Sequence, residues 1–353
     1  MADARPRVWV SQPLFDDVVA QLEAHFQVET TDAVTAHSAA GLAAKLAPLD
    51  GALVTLNERI GASEIANAPN LRAIANVGVG YNNLDIDALS AAGIVATNTP
   101  DVLTETTADL GFALLMAAAR RITESERWLR DGQWGQWSFS TMLGADIHGS
   151  TLGILGMGRI GQGIARRGHH GFGMKVLYHN RSRLPEAAER EVGAAYAGFD
   201  ELLAQADHLI LVLPYSAASH HIIDAVALAK MKPTATLVNI ARGGIVDEVA
   251  LADALANGRL AAAGLDVYEG EPQVRSELLA LRNVVLTPHI GSASLATRRA
   301  MVQLAVDNLI AALGAGPDAG RPPSAINATA ITSIAGKAGA ATVGATKIAD
   351  GKR

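Results

Sequence analysis

The fold is decided by the stretch Thr151-Leu152-Gly153-Ile154-Leu155-Gly156-Met157-Gly158-Arg159-Ile160-Gly161. Its apolar first part predicts a buried strand, and the apolar spacing after the glycines predicts a helix. Between the two, Gly156 allows a tight turn, Gly158 lets the backbone approach a pyrophosphate, and Gly161 lets the helix pack closely on the strand. The amino end of the helix then faces the phosphates. This context favours a dinucleotide-binding loop over the alternative, a strand–helix turn that binds nothing.

Composition narrows the class of protein. The 353 residues suggest about two domains. Half of the residues are apolar and few are aromatic, which is typical of parallel sheets covered by helices. Cysteine is absent, which excludes disulfides, thiolate metal sites and a cysteine nucleophile, and which fits a reducing cytoplasm. The net charge of −6, without a basic block, argues against nucleic acid as a partner.

No membrane partner is expected, because the longest apolar segment, residues 110–119, is shorter than the roughly 20 residues that span a bilayer. The first residues also lack the apolar stretch of a signal peptide. We therefore expect a cytoplasmic protein.

Strand-like apolar runs alternate with helical stretches on both sides of the glycine loop. This alternation predicts βαβ units and parallel sheets. A long helix is expected after Pro100, and another at residues 296–313. Trp128, Trp134 and Trp137 cluster between helix and loop, either as a satellite core or as a contact surface. The strand-like runs lie at residues 7–10, 51–56, 71–76, 174–178, 209–213, 235–240, 262–267 and 284–287.

The strand after the glycine loop ends in Asn180-Arg181-Ser182-Arg183. A site for NAD normally carries Asp or Glu here, which accepts hydrogen bonds from the ribose hydroxyls. A carboxylate repels a 2′-phosphate, whereas Arg181 and Arg183 attract one, unless both arginines are merely solvated. The sequence therefore predicts a preference for NADP(H) over NAD(H).

Three ionisable residues follow three late strands: Arg242, Glu271 and His289. In an open α/β sheet, ligands bind beyond the carboxyl ends of the strands, so these residues are expected to converge. Arginine holds a carboxylate and polarises a ketone, histidine donates a proton to a developing alkoxide, and a carboxylate stabilises the protonated imidazole. Each residue alone has an ordinary structural explanation, but the three together predict the reduction of a 2-oxo acid. The pairs His169-His170 and His220-His221 lack metal-motif spacing, so no metal site is expected.

At this point the chain resembles the D-isomer-specific 2-hydroxyacid dehydrogenases, over about residues 8–327. Within the family it is most similar to bacterial glyoxylate/hydroxypyruvate reductases that also reduce 2-ketogluconate, through residues 99–109 and the Asn180-Arg181 step. The motifs that carry the resemblance are Asn76-Val77-Gly78-Val79-Gly80-Tyr81-Asn82-Asn83, Leu155 to Gly161, Asn239-Ile240-Ala241-Arg242-Gly243-Gly244, Ala263-Gly264-Leu265-Asp266-Val267-Tyr268 and Thr287-Pro288-His289-Ile290-Gly291-Ser292-Ala293.

The resemblance implies an α/β fold of two Rossmann-like lobes with parallel sheets. The cofactor lobe, residues 100–288, is inserted into a discontinuous substrate lobe, residues 1–99 and 289–327, with the active site in the cleft between them. Residues 328–353, which are rich in Gly, Ala, Ser and Thr, are expected to form a disordered tail. A homodimer joined through the cofactor lobes is also implied, and the Trp128–Trp137 segment suits that role.

The resemblance also assigns site residues. Val77 and Gly78 present backbone N–H groups to the substrate carboxylate, and the side chain of Arg242 also binds it. Thr107 lies near the nicotinamide, and Asp266 either holds the carboxamide or supports the catalytic group. The predicted cofactor contacts are Thr107, Gly156, Gly158, Arg159, Ile160, Gly161, Asn180, Arg181, Ser182, Arg183, Leu213, Pro214, Ile240, Ala241, Asp266, His289 and Gly291.

Two alternatives remain open at this point. One is another dehydrogenase of the same family, acting on D-lactate or D-3-phosphoglycerate. A phosphorylated substrate would need further cations near residues 53–59, where only Arg59 is visible. The other is a non-catalytic NAD(P)-sensing regulator, which would keep the glycine loop but has no need of Arg242, Glu271 and His289.

Overall fold

The structure, a computed structural model, describes residues 5–330. It divides into two compact units, one from Thr104 to Ala293 and the other from the residues before and after that segment. Both boundaries lie a few residues beyond the predicted ones at Pro100 and Pro288, so His289 belongs to the inserted unit. Most of the predicted tail, from residue 331 onward, lies outside the described residues.

The strands in chain order are β1 Arg7–Val10, β2 Gln27–Thr30, β3 Gly51–Val54, β4 Ala73–Asn76, β5 Val95–Thr97, β6 Thr151–Leu155, β7 Lys175–His179, β8 Ala194–Tyr196, β9 His208–Leu211, β10 Thr236–Asn239, β11 Ala262–Leu265 and β12 Val284–Leu286. The α-helices are α1 Asp16–Val19, α2 Ala39–Leu46, α3 Ala62–Ala66, α4 Ile86–Ala92, α5 Thr104–Ala119, α6 Ile122–Arg130, α7 Arg159–Arg166, α8 Glu186–Val192, α9 Phe199–Gln205, α10 Ala225–Lys230, α11 Glu248–Ala256, α12 Ser276–Ala280 and α13 Leu295–Ala312.

Each unit is built on one parallel sheet. The first unit, which includes α13, has the strand order β2-β1-β3-β4-β5, and the inserted unit has the order β12-β11-β10-β9-β6-β7-β8. All pairings between these strands are parallel, so within each sheet the carboxyl ends share one edge. The predicted fold class, two Rossmann-like α/β units with one inserted into the other, is confirmed.

Apolar residues fill both faces of each sheet. In β1, Val8 and Val10 pack on the side of α13, while Trp9 packs on the opposite side with Leu42 and Leu46. The inserted unit likewise has one core on each face of its sheet. Helices on both faces explain why the central strands read as continuous apolar runs in the sequence.

Three strands were not predicted, and each of them lies at a sheet edge. β2 and β8 are partly exposed, and β5 has only three residues, so none of them gives a long apolar run. Within residues 5–330, we find no helix with the length and apolar character needed to cross a membrane.

Candidate active site

The glycine loop joins β6 to α7, as predicted. Gly156 has a φ of +105°, and a Cβ there would lie 2.7 Å from the backbone nitrogen of Leu213. A Cβ on Gly161 would lie 2.3 Å from the carbonyl oxygen of Gly156. A Cβ on Gly158 would meet no atom within 4 Å, so the space beside this glycine is open. Two glycines are thus required by close packing, and the middle one leaves room for a ligand at the amino end of α7.

Asn180 binds the glycine loop directly. It follows β7, and its Oδ1 accepts a hydrogen bond of 2.7 Å from the backbone N–H of Met157. The Gly156 N–H also donates to the carbonyl of His179, at 3.0 Å. The neutral amide therefore stands where a ribose-binding carboxylate is expected, and it fixes the end of β7 to the loop.

The two arginines after Asn180 have different surroundings. Arg183 donates from Nε and Nη2 to the two carboxylate oxygens of Glu189, both at 2.8 Å. The hydroxyl of Tyr178 donates to the same carboxylate at 2.6 Å and accepts from the Leu184 N–H. Arg181, like Ser182, lies exposed on the turn. Arg183 therefore serves to hold the turn in shape, and Arg181 is the better placed of the two to meet a phosphate.

The hydrogen bonds among Arg183, Glu189 and Tyr178 also set the ionisation states of Glu189 and Tyr178. The hydrogen bonds from Arg183 and Tyr178 lower the pKa of Glu189 to about 2. Burial, together with the bond to Glu189, raises the pKa of Tyr178 to about 12. Glu189 is thus ionised and Tyr178 is neutral throughout the neutral range.

The end of β10 positions Arg242. The buried Asn239 accepts from the N–H of Ala241 at 3.0 Å and donates to the carbonyl of Arg242 at 2.9 Å. Ile240 and Ala241 are buried, and Nη1 of Arg242 donates to the Ala241 carbonyl at 2.7 Å. Burial lowers the pKa of the Arg242 guanidinium below its usual range, and the charge of Glu271 opposes this. An arginine remains a cation under such a shift.

Glu271 and His289 form a hydrogen-bonded pair. Oε2 of Glu271 lies 2.8 Å from Nδ1 of His289, and Oε1 accepts from the N–H of Tyr268 at 2.9 Å. Burial alone would raise the pKa of Glu271, but the bond to His289, the Tyr268 N–H and the charge of Arg242 lower it overall. An ionised Glu271 favours a proton on Nδ1 of His289, so Nε2 is the ring nitrogen left for other contacts.

Asp266 supports the turn that carries His289. Its Oδ1 accepts from the Thr287 hydroxyl at 2.6 Å and the Ile290 N–H at 2.8 Å, and its Oδ2 accepts from the Gly291 N–H at 2.8 Å. His289 has a φ of +52°, in the left-handed region, and this network holds it there. Burial raises the pKa of Asp266, and the hydrogen bonds oppose that shift. Of the two predicted roles of Asp266, this geometry favours support of the catalytic group.

Thr107 and Gly291 lie against this same network. A Cβ on Gly291 would lie 3.3 Å from Oδ2 of Asp266 and 3.4 Å from Cγ2 of Thr107. Thr107 is buried on the first turn of α5. The inserted unit thus brings Thr107, Arg242, Asp266, Glu271, His289 and Gly291 to the ends of β10, β11 and β12.

Leu213 and Pro214 follow β9 beside the glycine loop. Val212 donates to the Leu155 carbonyl at 2.8 Å, and the backbone of Leu213 then passes over Gly156. Arg159 and Ile160 open α7, where Ile160 is half-buried and Arg159 is exposed.

Val77 and Gly78 lie in the other unit, after β4. The N–H of Val77 donates to the Val54 carbonyl at 2.8 Å, and the N–H of Gly78 donates to the Asn76 carbonyl at 3.0 Å. The first bond continues the sheet, which does not fit the predicted role of the Val77 N–H in binding substrate. The second joins residues only two apart and is more easily exchanged, so the predicted carboxylate contact rests on Gly78.

Sequence reasoning missed three supporting residues. Asn239 lies within a recognised motif, but its two hydrogen bonds around the strand end were not anticipated. Tyr178 and Glu189 showed no signal, because a Tyr in a strand and a Glu in a helix are common. A carboxylate six residues after Arg183, on the first turns of a helix, is the one hint that this arginine has a partner.

The sequence of this chain is similar to those of known dehydrogenases and reductases. The sequence model described as D-isomer specific 2-hydroxyacid dehydrogenase, NAD binding domain, matches residues 112–291. The glyoxylate reductase of Thermococcus onnurineus is 45% identical over 311 residues, 87% of this chain and 92% of that protein. Glyoxylate/hydroxypyruvate reductase B of Yersinia pestis is 46% identical over 310 residues, 88% of this chain and 94% of that protein.

Solved structures are similar to this chain over most of its length. A crystal structure of a Thermus thermophilus protein matches with a TM-score of 0.83 at 40% identity, over 91% of this chain and 99% of that one. The NADPH-dependent glyoxylate/hydroxypyruvate reductase of Sinorhizobium meliloti, in complex with NADP and malonate, matches with a TM-score of 0.80 at 36% identity, over 92% and 98%.

The chain belongs to the family of D-isomer-specific 2-hydroxyacid dehydrogenases. Its inserted unit contains the NAD-binding domain of that family, which makes a nicotinamide dinucleotide its cofactor. The residues present fit such a cofactor, because Gly158 leaves space at the amino end of α7 and the strand ends beyond it carry Arg242 and His289.

Proposed function

We propose that this protein reduces small 2-oxo acids, above all glyoxylate and hydroxypyruvate, to D-2-hydroxy acids, and that it prefers NADPH to NADH. The observation that carries the proposal is the 2.8 Å contact between Glu271 and His289, at the strand ends that also carry Arg242. The names of the Thermococcus and Yersinia relatives support the choice of substrates. 2-Ketogluconate is a further candidate substrate.

The chemistry follows from three residues. A bound reduced nicotinamide would supply the hydride to the keto carbon, and the protein supplies the proton for the keto oxygen. Arg242 binds the substrate carboxylate and polarises the keto oxygen, since its planar cation can do both. His289 gives the proton on Nε2 to the developing alkoxide, as Nδ1 is occupied by Glu271. The charge of Glu271 stabilises the imidazolium from which that proton leaves.

Preference for NADPH is proposed from the end of β7. No carboxylate follows Tyr178-His179, where one would repel a 2′-phosphate, and Asn180 instead holds the glycine loop. Arg181 is exposed on the same turn and supplies a cation. The NADP complex of the Sinorhizobium relative supports this proposal.

The test is a kinetic panel with both cofactors and about ten 2-oxo acids, including glyoxylate, hydroxypyruvate, pyruvate and 2-ketogluconate. We expect the highest kcat/KM with NADPH and glyoxylate or hydroxypyruvate. A higher kcat/KM with NADH would refute the cofactor preference, and no turnover with any acid would favour a regulator.

We also propose that the protein is a homodimer joined through the inserted unit. Four large apolar side chains are strongly exposed in one short segment after α6: Trp134, Trp137, Phe139 and Leu143, with Phe139 87% and Trp137 69% exposed. Aromatic residues are enriched at interfaces, and such a cluster is costly to leave in water. Sedimentation velocity should give a dimer for the wild type and a monomer for the double variant Trp137→Ser/Phe139→Ser. An unchanged mass would refute this interface.

A further inference from the structure

A second group of ligand-type side chains lies in the inserted unit, outside the residues assigned to substrate or cofactor. It consists of His220, His221 and Glu269. One nitrogen of each histidine and one carboxylate oxygen lie within 4.8 Å of one another. Nε2 of His221 is 3.2 Å from both oxygens of Glu269, and the two imidazole rings stack with centroids 3.9 Å apart.

Two imidazoles and a carboxylate form a ligand set that binds zinc in proteins. With bonds of about 2.0–2.1 Å in a tetrahedral arrangement, such ligand atoms stand about 3.4 Å apart. Nε2 of His221 and the Glu269 carboxylate are already within that separation, so only His220 needs to approach them, by up to about 1.4 Å. The stacked rings also need to turn, because a ring nitrogen binds a metal in the plane of its ring. His220 and Glu269 are exposed, so rotation of their side chains can supply both changes.

The backbone around His221 is itself unusual. His221 has a φ of +50°, which is uncommon for a residue other than glycine. Its N–H donates to the Gly244 carbonyl at 2.8 Å, and Ile223 pairs with Val246, so this turn is bound to the loop after Arg242. Strained residues that are held by their surroundings are concentrated at ligand sites. Here the strained backbone presents His221 to Glu269.

We propose that His220, His221 and Glu269 form a site for a transition-metal ion of the zinc class, with water completing the coordination. The nitrogen ligands favour Zn²⁺, Co²⁺, Ni²⁺ or Cu²⁺ over Mg²⁺ and Ca²⁺, which prefer oxygen ligands. A bound ion joins the turn at His221 to the loop from Glu269 to Glu271, and Glu271 holds His289. The ion is therefore placed to influence the catalytic pair without contacting it.

The site can be tested without an activity assay, on the full chain free of any purification tag. Co²⁺ is titrated into the protein and followed by its visible ligand-field absorption, and Zn²⁺ is then added as a competitor. We expect saturation at one Co²⁺ per chain, displacement by Zn²⁺ and no displacement by Mg²⁺. Absence of saturable binding would overturn the proposal.

Two variants test the ligands, and a third is the matched control. Glu269→Gln keeps the side-chain shape, and His221→Asn places a residue that tolerates a positive φ. Each should weaken Co²⁺ binding at least tenfold. The control, His170→Asn, alters the other His-His pair, where His170 contacts the Glu191 carbonyl instead of a carboxylate, and its affinity should equal that of the wild type. Equal binding by Glu269→Gln and the wild type, or equal loss in the control, would refute the site; circular dichroism verifies that each variant is folded.

Discussion

Replacing Arg181 or Arg183 by alanine should have different effects on cofactor selectivity. Both residues follow Asn180, and sequence alone treats them alike. In the structure both arginines are exposed, but Arg183 donates two hydrogen bonds of 2.8 Å to Glu189, whereas within residues 5–330 no carboxylate holds Arg181 in this way. We therefore expect Arg181→Ala to act on NADPH alone and Arg183→Ala to act on both cofactors.

The magnitude follows from the type of contact. A hydrogen bond between charged groups contributes about 1.5–3 kcal/mol, and exposure to solvent places Arg181 at the lower end of that range. About 1.4 kcal/mol corresponds to a factor of ten. The ratio of kcat/KM with NADPH to kcat/KM with NADH should thus fall about tenfold in Arg181→Ala. Because the contact is screened, the loss should shrink as salt is added.

Arg183→Ala removes the partner of Glu189 and leaves that carboxylate with the Tyr178 hydroxyl. The turn from Asn180 to Leu184 then loosens, which weakens binding of the adenosine end of either cofactor. We expect both kcat/KM values to fall together, with the ratio changed less than about threefold, a difference below about 0.7 kcal/mol.

The assay is initial-rate kinetics with glyoxylate and each cofactor, at low and high salt. Arg190→Ala is the matched control, since Arg190 is an exposed arginine of α8 that pairs with Glu186. The reasoning is wrong if Arg181→Ala leaves the ratio unchanged, or if Arg183→Ala lowers it as much as Arg181→Ala does.

Three further predictions concern the catalytic pair and the glycine loop. His289→Asn, which suits the positive φ of this position, should lower kcat about 10²–10⁴-fold in steady-state assays with intact folding, whereas near-normal turnover would exclude His289 as the proton donor. Because the pKa of Glu271 is lowered, the Glu271 carboxylate is charged at and above pH 4.5, its usual pKa, and loses its charge only at lower pH. In Glu271→Gln, the alkaline fall of reductive kcat/KM should therefore move to lower pH. An unchanged pH profile would contradict this role of Glu271. Gly158→Ala should fold with a free energy of unfolding within about 0.5 kcal/mol of the wild type but bind NADPH at least tenfold more weakly. Gly161→Ala should lose stability in urea unfolding, because its Cβ meets the Gly156 carbonyl. The reverse pattern would refute the assigned roles.

Local features of the fold, and the meeting of residues that follow neighbouring strands, could be predicted from the sequence, whereas other contacts between distant residues could not. The spacing of Gly156, Gly158 and Gly161 implies its own backbone geometry, so strand, turn and helix were all placed correctly. The contact of Glu271 with His289 was expected because both follow neighbouring parallel strands. His221 contacts Glu269, which is 48 residues away along the chain, and no local sequence pattern predicts this contact.

The hydrogen bonds also changed the roles assigned to residues whose positions had been predicted correctly. Asp266 lies where it was expected, but its oxygens bind Thr287, Ile290 and Gly291, a result of the left-handed turn at His289. Val77 directly follows β4, where the sequence placed it, yet its N–H donates to the Val54 carbonyl of the neighbouring strand. Sequence patterns identify where a side chain lies, but not which of its donors and acceptors are already occupied.

The strand order of the inserted unit also places the turn after β7, with Asn180 and Arg181, far from the loop that carries Glu271. Asn180 and Arg181 follow β7 and Glu271 follows β11, and these strands stand four spacings apart in the order β11-β10-β9-β6-β7, about 19 Å at ~4.8 Å per strand. Substitutions that far apart, without shared partners, usually have additive free energies. Selection, natural or in the laboratory, can therefore change the residues at the end of β7 with little effect on Arg242, Glu271 and His289, which follow β10, β11 and β12.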